Sequence, residues 1–320
     1  MHRQFGGIFV VILVVGTACG GGNGGSGSLS PTAPTTGSAS TTTASSTTGT
    51  SPYGACAVTA ASAAQTPSFT VQVIPLGDPL HGVFYKCIKV FGMSLLATES
   101  FPNDRLVWVA TIAAEYLDND EDGQPDDAAV NAALVNGHAS MLLAQSEGES
   151  KVVGQHPSLD YMEHKQPQGA DESTPNGSLG RGDASLEEVL HLIQNGGYGP
   201  AHPNLDPGNG NTYNLLTDAM DIARSGRFKI PPVPYPAAAW YSYDDASCDY
   251  ACMAVEYFYW GLTTQLGGQG DFRASRCREI QNEWKPCTKA EFQTTDTKLY
   301  ALLTNPAYNL PTRLPNGRYR

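Results

Sequence analysis

Basic side chains are scarce. The 320-residue chain has 19 Lys and Arg against 31 Asp and Glu, a formal net charge of −12, a balance that argues against nucleic acid as a partner. Long apolar runs are missing too. The run from Ile8 to Val15 falls far short of the roughly 20 residues that span a bilayer, and no later segment is longer. There is no G-x-S-x-G nucleophile elbow, no P-loop and no dinucleotide-binding glycine pattern. Helical segments outnumber strands and do not alternate with them regularly, which predicts an α+β fold rather than a doubly wound α/β one.

What is present begins with an export leader. Residues 1–18 carry Arg3, the short apolar run and the small residues Gly16-Thr17-Ala18 that suit a signal peptidase. Thr17-Ala18-Cys19 followed by glycine resembles a bacterial lipobox, with Cys19 as the lipid-attachment residue. Gly16 stands where that pattern usually has leucine. A lipoprotein held peripherally on the membrane is one expectation, and a secreted protein released by ordinary cleavage is the other. Residues 19–52 are almost wholly Gly, Ser, Thr, Ala and Pro, the composition of a flexible linker. Residues 53–320 are then the globular ectodomain, enough for one large core or two closely packed lobes.

Cysteine usage fits an oxidising compartment. Apart from Cys19 there are six, Cys56, Cys87, Cys248, Cys252, Cys277 and Cys287, which predicts three disulfides. Of the fifteen possible pairings, Cys277 with Cys287 is favoured, with Cys56 and Cys87 each tied to something distant. The Cys248-x3-Cys252 pair lacks a second pair of matching spacing for a metal, so a disulfide role is expected there as well.

The densest acidic stretch has a specific explanation. A helix is expected over 102–117, with Leu106, Val109, Ala110, Ala113 and Leu117 on its apolar face. It ends in Asp118-Asn119-Asp120-Glu121-Asp122-Gly123-Gln124-Pro125-Asp126-Asp127. Oxygens of Asp118, Asp120, Asp122 and Asp126 fall on positions 1, 3, 5 and 9 of a calcium loop. Gly123 makes the turn and the Gln124 carbonyl stands at position 7. Ala129 occupies the position where an EF-hand has its bidentate glutamate. The segment therefore resembles the shorter calcium loops of extracellular proteins, with Asp127 the candidate for the missing oxygen. A second helix follows from Ala128. The expected role of Ca2+ is structural, pinning one helix against the next.

A second metal is suggested by Glu187-Glu188-Val189-Leu190-His191. Asp183 or Ser185 can cap a helix running to about Leu192 before Gly196-Gly197. Glu187 and His191 are four apart and share a face. The five residues are one substitution away from H-E-x-x-H and resemble the active-site helix of gluzincin zinc metallopeptidases. The resemblance covers this motif and a later helical glutamate only. It implies Glu187 in place of the first histidine ligand, His191 as the second ligand and Glu188 as general base. Glu256, a lone carboxylate in an apolar and aromatic helix, is the best candidate for the third ligand. A ligand set of one histidine and two carboxylates admits Zn2+ or another divalent transition metal. His202 is an alternative ligand, and Tyr198 is a candidate donor to a developing oxyanion. The metzincin pattern is excluded, because Gln194 and Gly197 stand where it needs Gly and His.

The same residues support a purely structural reading. Ser185 and Glu188 have the spacing of a capping box, Glu187 suits the positive end of a helix, and His191 can hydrogen-bond in the core. Elsewhere, strands are expected at 71–74, 82–90 and 140–144, and helices at 212–225 and 297–303. A long polar loop is expected at 148–182, placed as a specificity loop would be. The expected function is an exported metal-dependent hydrolase, with a peptidase acting on extracellular peptide or polymer as the favoured class. Its rivals are a non-enzymatic calcium-stabilised surface protein that binds a partner, and a carboxylate-bridged iron or manganese enzyme. The last would need Glu115 and Glu256 to converge.

Overall fold

The computed structural model describes residues 54–174 and 183–320. The leader, Cys19, the linker and residues 175–182 of the expected long loop lie outside the described residues.

A mixed five-stranded sheet organises the fold, in the order β1 (Gln72–Val73), β2 (Lys86–Val90), β3 (Met93–Ala97), β4 (Ser140–Ala144) and β5 (Lys165–Gly169). The first three strands run antiparallel, whereas β3, β4 and β5 are parallel. β3 and β4 are buried along their whole length, and strict alternation divides their side chains between two cores. Leu95, Ala97, Met141 and Leu143 face the large core shared with most of the helices. Cys87, Leu96 and Leu142 face a smaller one with Ile74, Phe84, Leu159 and Met162.

The helices before the candidate catalytic segment are α1 (Ala60–Ala63), α2 (Asn103–Leu117), α3 (Ala128–Asn136) and α4 (Glu147–Val153). After it come α5 (Ser185–Ile193), a π-helical turn at Gln194–Tyr198, α6 (Gly199–Ala201), α7 (Leu215–Ala223) and α8 (Tyr250–Gln265). Short helices α9 (Arg276–Ile280), α10 (Lys289–Thr295) and α11 (Thr297–Leu303) complete the chain. The expected α+β class is observed.

Several expectations are corrected. Residues 82–85 do not belong to β2, which starts at Lys86. The polar region from 148 onward is not one loop, since it holds most of α4 and all of β5. Pro167 is tolerated in β5 because that strand is the sheet edge, where a missing N–H leaves no ladder partner unpaired. Cys277 pairs with Cys287, and Cys248 with Cys252. Cys56 and Cys87, expected to reach separate distant partners, pair with each other and staple the segment before α1 to β2. Three disulfides are the mark of a chain folded in an oxidising, extracytoplasmic compartment. Among the described residues no helix is long and apolar enough to cross a membrane.

Candidate metal centre

α5 is held at its start by α2 and along one side by β5. Asp183 accepts from the Ser185 amide at 3.1 Å through Oδ1 and from the Trp108 indole at 2.7 Å through Oδ2. The Tyr116 hydroxyl donates to the Leu186 carbonyl at 2.9 Å. Two glutamines on one face of β5 grip the helix a turn apart. Gln168 donates to the Ser185 hydroxyl at 2.9 Å, and Gln166 donates to Glu188 Oε2. The capping box between Ser185 and Glu188 is therefore absent. Asp183 serves the helix start, and Glu188 is turned towards β5.

The helix brings Glu187, Glu188 and His191 together, with one ligand atom from each lying within 4.8 Å of the others, so the group could hold a metal ion. From α8, Glu256 approaches the same imidazole at its other nitrogen. Glu256 Oε2 is 3.6 Å from His191 Nε2, and Glu188 Oε2 is 3.6 Å from His191 Nδ1. The imidazole thus stands between two carboxylates, one on each ring nitrogen. His191 is fully buried, and neither nitrogen has a hydrogen-bond partner. Glu256 Oε1 accepts from the Tyr243 hydroxyl at 3.1 Å. Tyr259 meets the imidazole edge-on at 5.8 Å between centroids.

Electrostatics follow from this crowding. Burial and the nearby charge of Glu256 push the Glu187 carboxyl well above its ordinary range. For His191, burial opposes the charged form, but Glu256 and Glu188 outweigh it and the net shift is upward. A buried group of like-charged carboxylates calls for a cation among them, either the imidazolium itself or a bound metal ion.

Three contributors and one further orphaned side chain were not expected from sequence. Gln166 and Tyr243 serve the carboxylates directly. Glu283 lies within electrostatic reach of Glu256 and Glu187, and burial with the charges of Glu256 and Asp244 pushes its carboxyl up to about 7. Gln194, one turn beyond His191 on the same stripe of the helix, is fully buried with both ends of its carboxamide unpartnered. Its spacing after Glu187 and His191 was the only available signal. Glu115, the other carboxylate expected to converge, is instead spent on the main-chain amides of Asn316, Gly317 and Arg318.

Tyr198 and His202 belong to a different neighbourhood. The Tyr198 hydroxyl donates to the Asn309 carbonyl at 3.5 Å, and burial together with Asp127 and Asp126 raises its pKa. His202 Nε2 lies 2.8 Å from Asp127 Oδ2. Both residues thus face the end of the acidic loop.

In that loop Asp118, Asp120 and Asp126 bring one oxygen each within 4.8 Å of the others. Gly123 turns the chain with φ at +94°, a conformation that strains any residue with a Cβ. Asp118 accepts from the Asp122 and Gly123 amides at 3.0 and 2.8 Å, and Asp126 from the Asn119 amide at 2.8 Å. Asp122 is turned onto the Gln124 amide at 2.8 Å and stands outside the convergent trio. Asp127 does not supply the missing oxygen. It caps α3 through the Ala129 and Val130 amides and holds His202. The C-terminal segment closes over the loop, with the Tyr319 hydroxyl donating to Asp118. No family model, curated protein or solved structure matches the chain.

Proposed function

We propose that this protein is an exported metal-dependent hydrolase, with a peptidase as the favoured class. Its catalytic centre is the group around His191. The observation that carries the reading is a fully buried imidazole whose nitrogens make no hydrogen bond yet each lie 3.6 Å from a carboxylate oxygen, of Glu188 and of Glu256, with Glu187 beside it. Buried polar atoms are nearly always satisfied, so orphans of this kind point to an absent ion or water. Glu187, His191 and Glu256 are the ligands in this reading. A divalent transition metal held by them supplies a Lewis acid that polarises a carbonyl and acidifies a bound water. Glu187 and Glu283 are the half-buried members of the group, so substrate approaches from their side. Ca2+ in the 118–126 loop has a structural role, fixing α2 against α3.

The test is elemental analysis of the purified chain before and after mild chelation, followed by assay against a panel of peptides and esters. One equivalent of transition metal besides calcium, with hydrolysis lost on stripping and restored on reloading, supports the reading. Calcium alone, with no transition metal recovered on reconstitution, sinks it. A second reading has its own observation: Glu188 and Glu256 are only 3% and 1% exposed. So closed a centre also suits a structural metal in a non-enzymatic surface protein. In that case stripping unfolds the chain without there being any activity to lose.

A further inference from the structure

Two seats are open to a metal beside His191, one on each ring nitrogen, and the surroundings distinguish them. On the Nδ1 side, Glu188 Oε2 already accepts from the Gln166 carboxamide while lying 3.6 Å from the ring. That oxygen is held by a neutral donor fixed on the edge strand β5. On the Nε2 side, Tyr243 occupies only Oε1 of Glu256 and leaves Oε2 facing the ring nitrogen at 3.6 Å. Glu187, four residues before His191, shares the helix face from which such a pair commonly chelates through one ion.

We infer that the metal sits on His191 Nε2 beside Glu256, with Glu187 offered from the same helix face as His191, and that Glu188 with Gln166 is a positioning pair at Nδ1 rather than the base of the reaction. The inference rests on the metal reading proposed above. An imidazole that ligates through one nitrogen commonly donates its other N–H to a carboxylate, which fixes ring orientation and raises ligand basicity. Gln166 extends that support by one residue. It ties the ligand helix to the sheet, just as Gln168 does one turn earlier through Ser185. The role of Glu188 is then to hold the ring still, and the proton released from an activated water must go elsewhere.

The experiment uses the full chain with 15N-labelled histidine, titrated with Zn2+, with the His191 resonances assigned by their loss in His191→Gln. The expected result is a zinc-dependent shift at Nε2, with a protonated Nδ1 observed in the loaded protein. Glu188→Gln is expected to keep Nε2 ligation and to weaken zinc binding by about 10–100-fold, the usual effect of losing an outer-shell partner. Gln166→Leu, which leaves every carboxylate in place, is expected to weaken it in the same direction by less. Zinc on Nδ1, or a Glu188→Gln chain that binds zinc as tightly as its parent, overturns the inference. If the parent takes up no zinc, the metal reading itself falls and the choice of nitrogen with it. The positioning pair is then judged on the metal-free chain. There Glu188→Gln must move the Nδ1 resonance more than the Nε2 resonance, and an unmoved Nδ1 resonance refutes the pair.

Discussion

The acidic loop at 118–126 and the Glu/His group between α5 and α8 each gather several carboxylates, but they satisfy them in opposite ways. In the loop, Asp118, Asp120, Asp122 and Asp126 all accept from main-chain amides of the loop itself. Asp120 also stands in solvent. The inner group has no main chain of its own to lean on. Glu188 and Glu256 depend on single side-chain donors, and the imidazole between them has no hydrogen bond. An ion in the loop would add to an arrangement its backbone already holds. An ion in the inner group would relieve a cost that the fold otherwise bears in its core. Counting acids does not separate the two; following the unpartnered atoms does.

The largest way to break this contrast is to remove the imidazole. His191→Leu leaves Glu188 and Glu256 buried with no cationic partner, and removing one member of a buried ionic group costs about 3–5 kcal/mol. Urea unfolding at neutral pH should show a loss of that order, together with loss of transition-metal binding and unchanged calcium binding. A variant within about 1 kcal/mol of its parent, inside the range of an ordinary surface substitution, would mean that the ring does not partner those carboxylates.

Calcium tests the other side. Extracellular calcium modules bind at about 10⁻⁴–10⁻³ M, so 1 mM Ca2+ would stabilise the fold by about 0.4–1.4 kcal/mol through RT ln(1 + [L]/Kd). Thermal unfolding should therefore shift upward with millimolar Ca2+, and the shift should vanish in Asp120→Asn. The same variant without calcium should melt close to its parent, because the other carboxylates keep their amide partners. A large loss in the metal-free variant would show that the loop is no better satisfied than the inner group.

Acidification should empty the inner site first. Metal binds carboxylate, not carboxylic acid, so a ligand whose pKa is raised surrenders metal to protons at a higher pH. Glu187 is well above its ordinary value, through burial and Glu256, and its neighbour Glu283 is pushed up to about 7. In the loop, burial raises Asp126 against the opposing pull of the Asn119 amide. Elemental analysis after dialysis at stepwise lower pH should find transition metal leaving as pH falls from neutral while calcium remains. Simultaneous release of both metals would erase the distinction.

Much of this contrast was legible in the sequence, and its gaps have physical causes. The loop could be read because its acidic residues follow a fixed spacing around one turn. Glu256 could be read because a carboxylate in an aromatic helix is costly. β4 and α11 were expected at the bounds they occupy. β3 left no pattern because it is buried on both faces, so Met93–Ala97 does not alternate. β5 was hidden by Pro167, which reads as a loop residue until the strand is known to be an edge. With β5 hidden, Gln166 and Gln168 had no face to share, and the two residues that grip α5 could not be seen. Glu283 and Tyr243 join the group through chain reversals far from α5, which no local pattern reports.

The smallest effect concerns how α5 starts, and it separates two readings of Asp183, Ser185 and Glu188. If Ser185 were the N-cap in a box with Glu188, Ser185→Ala would carry the full penalty of a lost cap and Asp183→Ala would carry almost none. The observed bonds reverse that order. Asp183 serves the Ser185 amide and the buried Trp108 indole, so Asp183→Ala should cost about 1–2 kcal/mol. It should also loosen α5 against α2. Ser185→Ala removes a hydroxyl that accepts from Gln168, a neutral side-chain bond worth about 0.5–1.5 kcal/mol. Paired denaturation curves decide the ranking. Metal affinity gives the sharper readout, because Gln168 and Gln166 share one face of β5. A Ser185→Ala chain that binds transition metal more weakly, with little change in stability, would show that the edge strand positions the ligand helix as a unit.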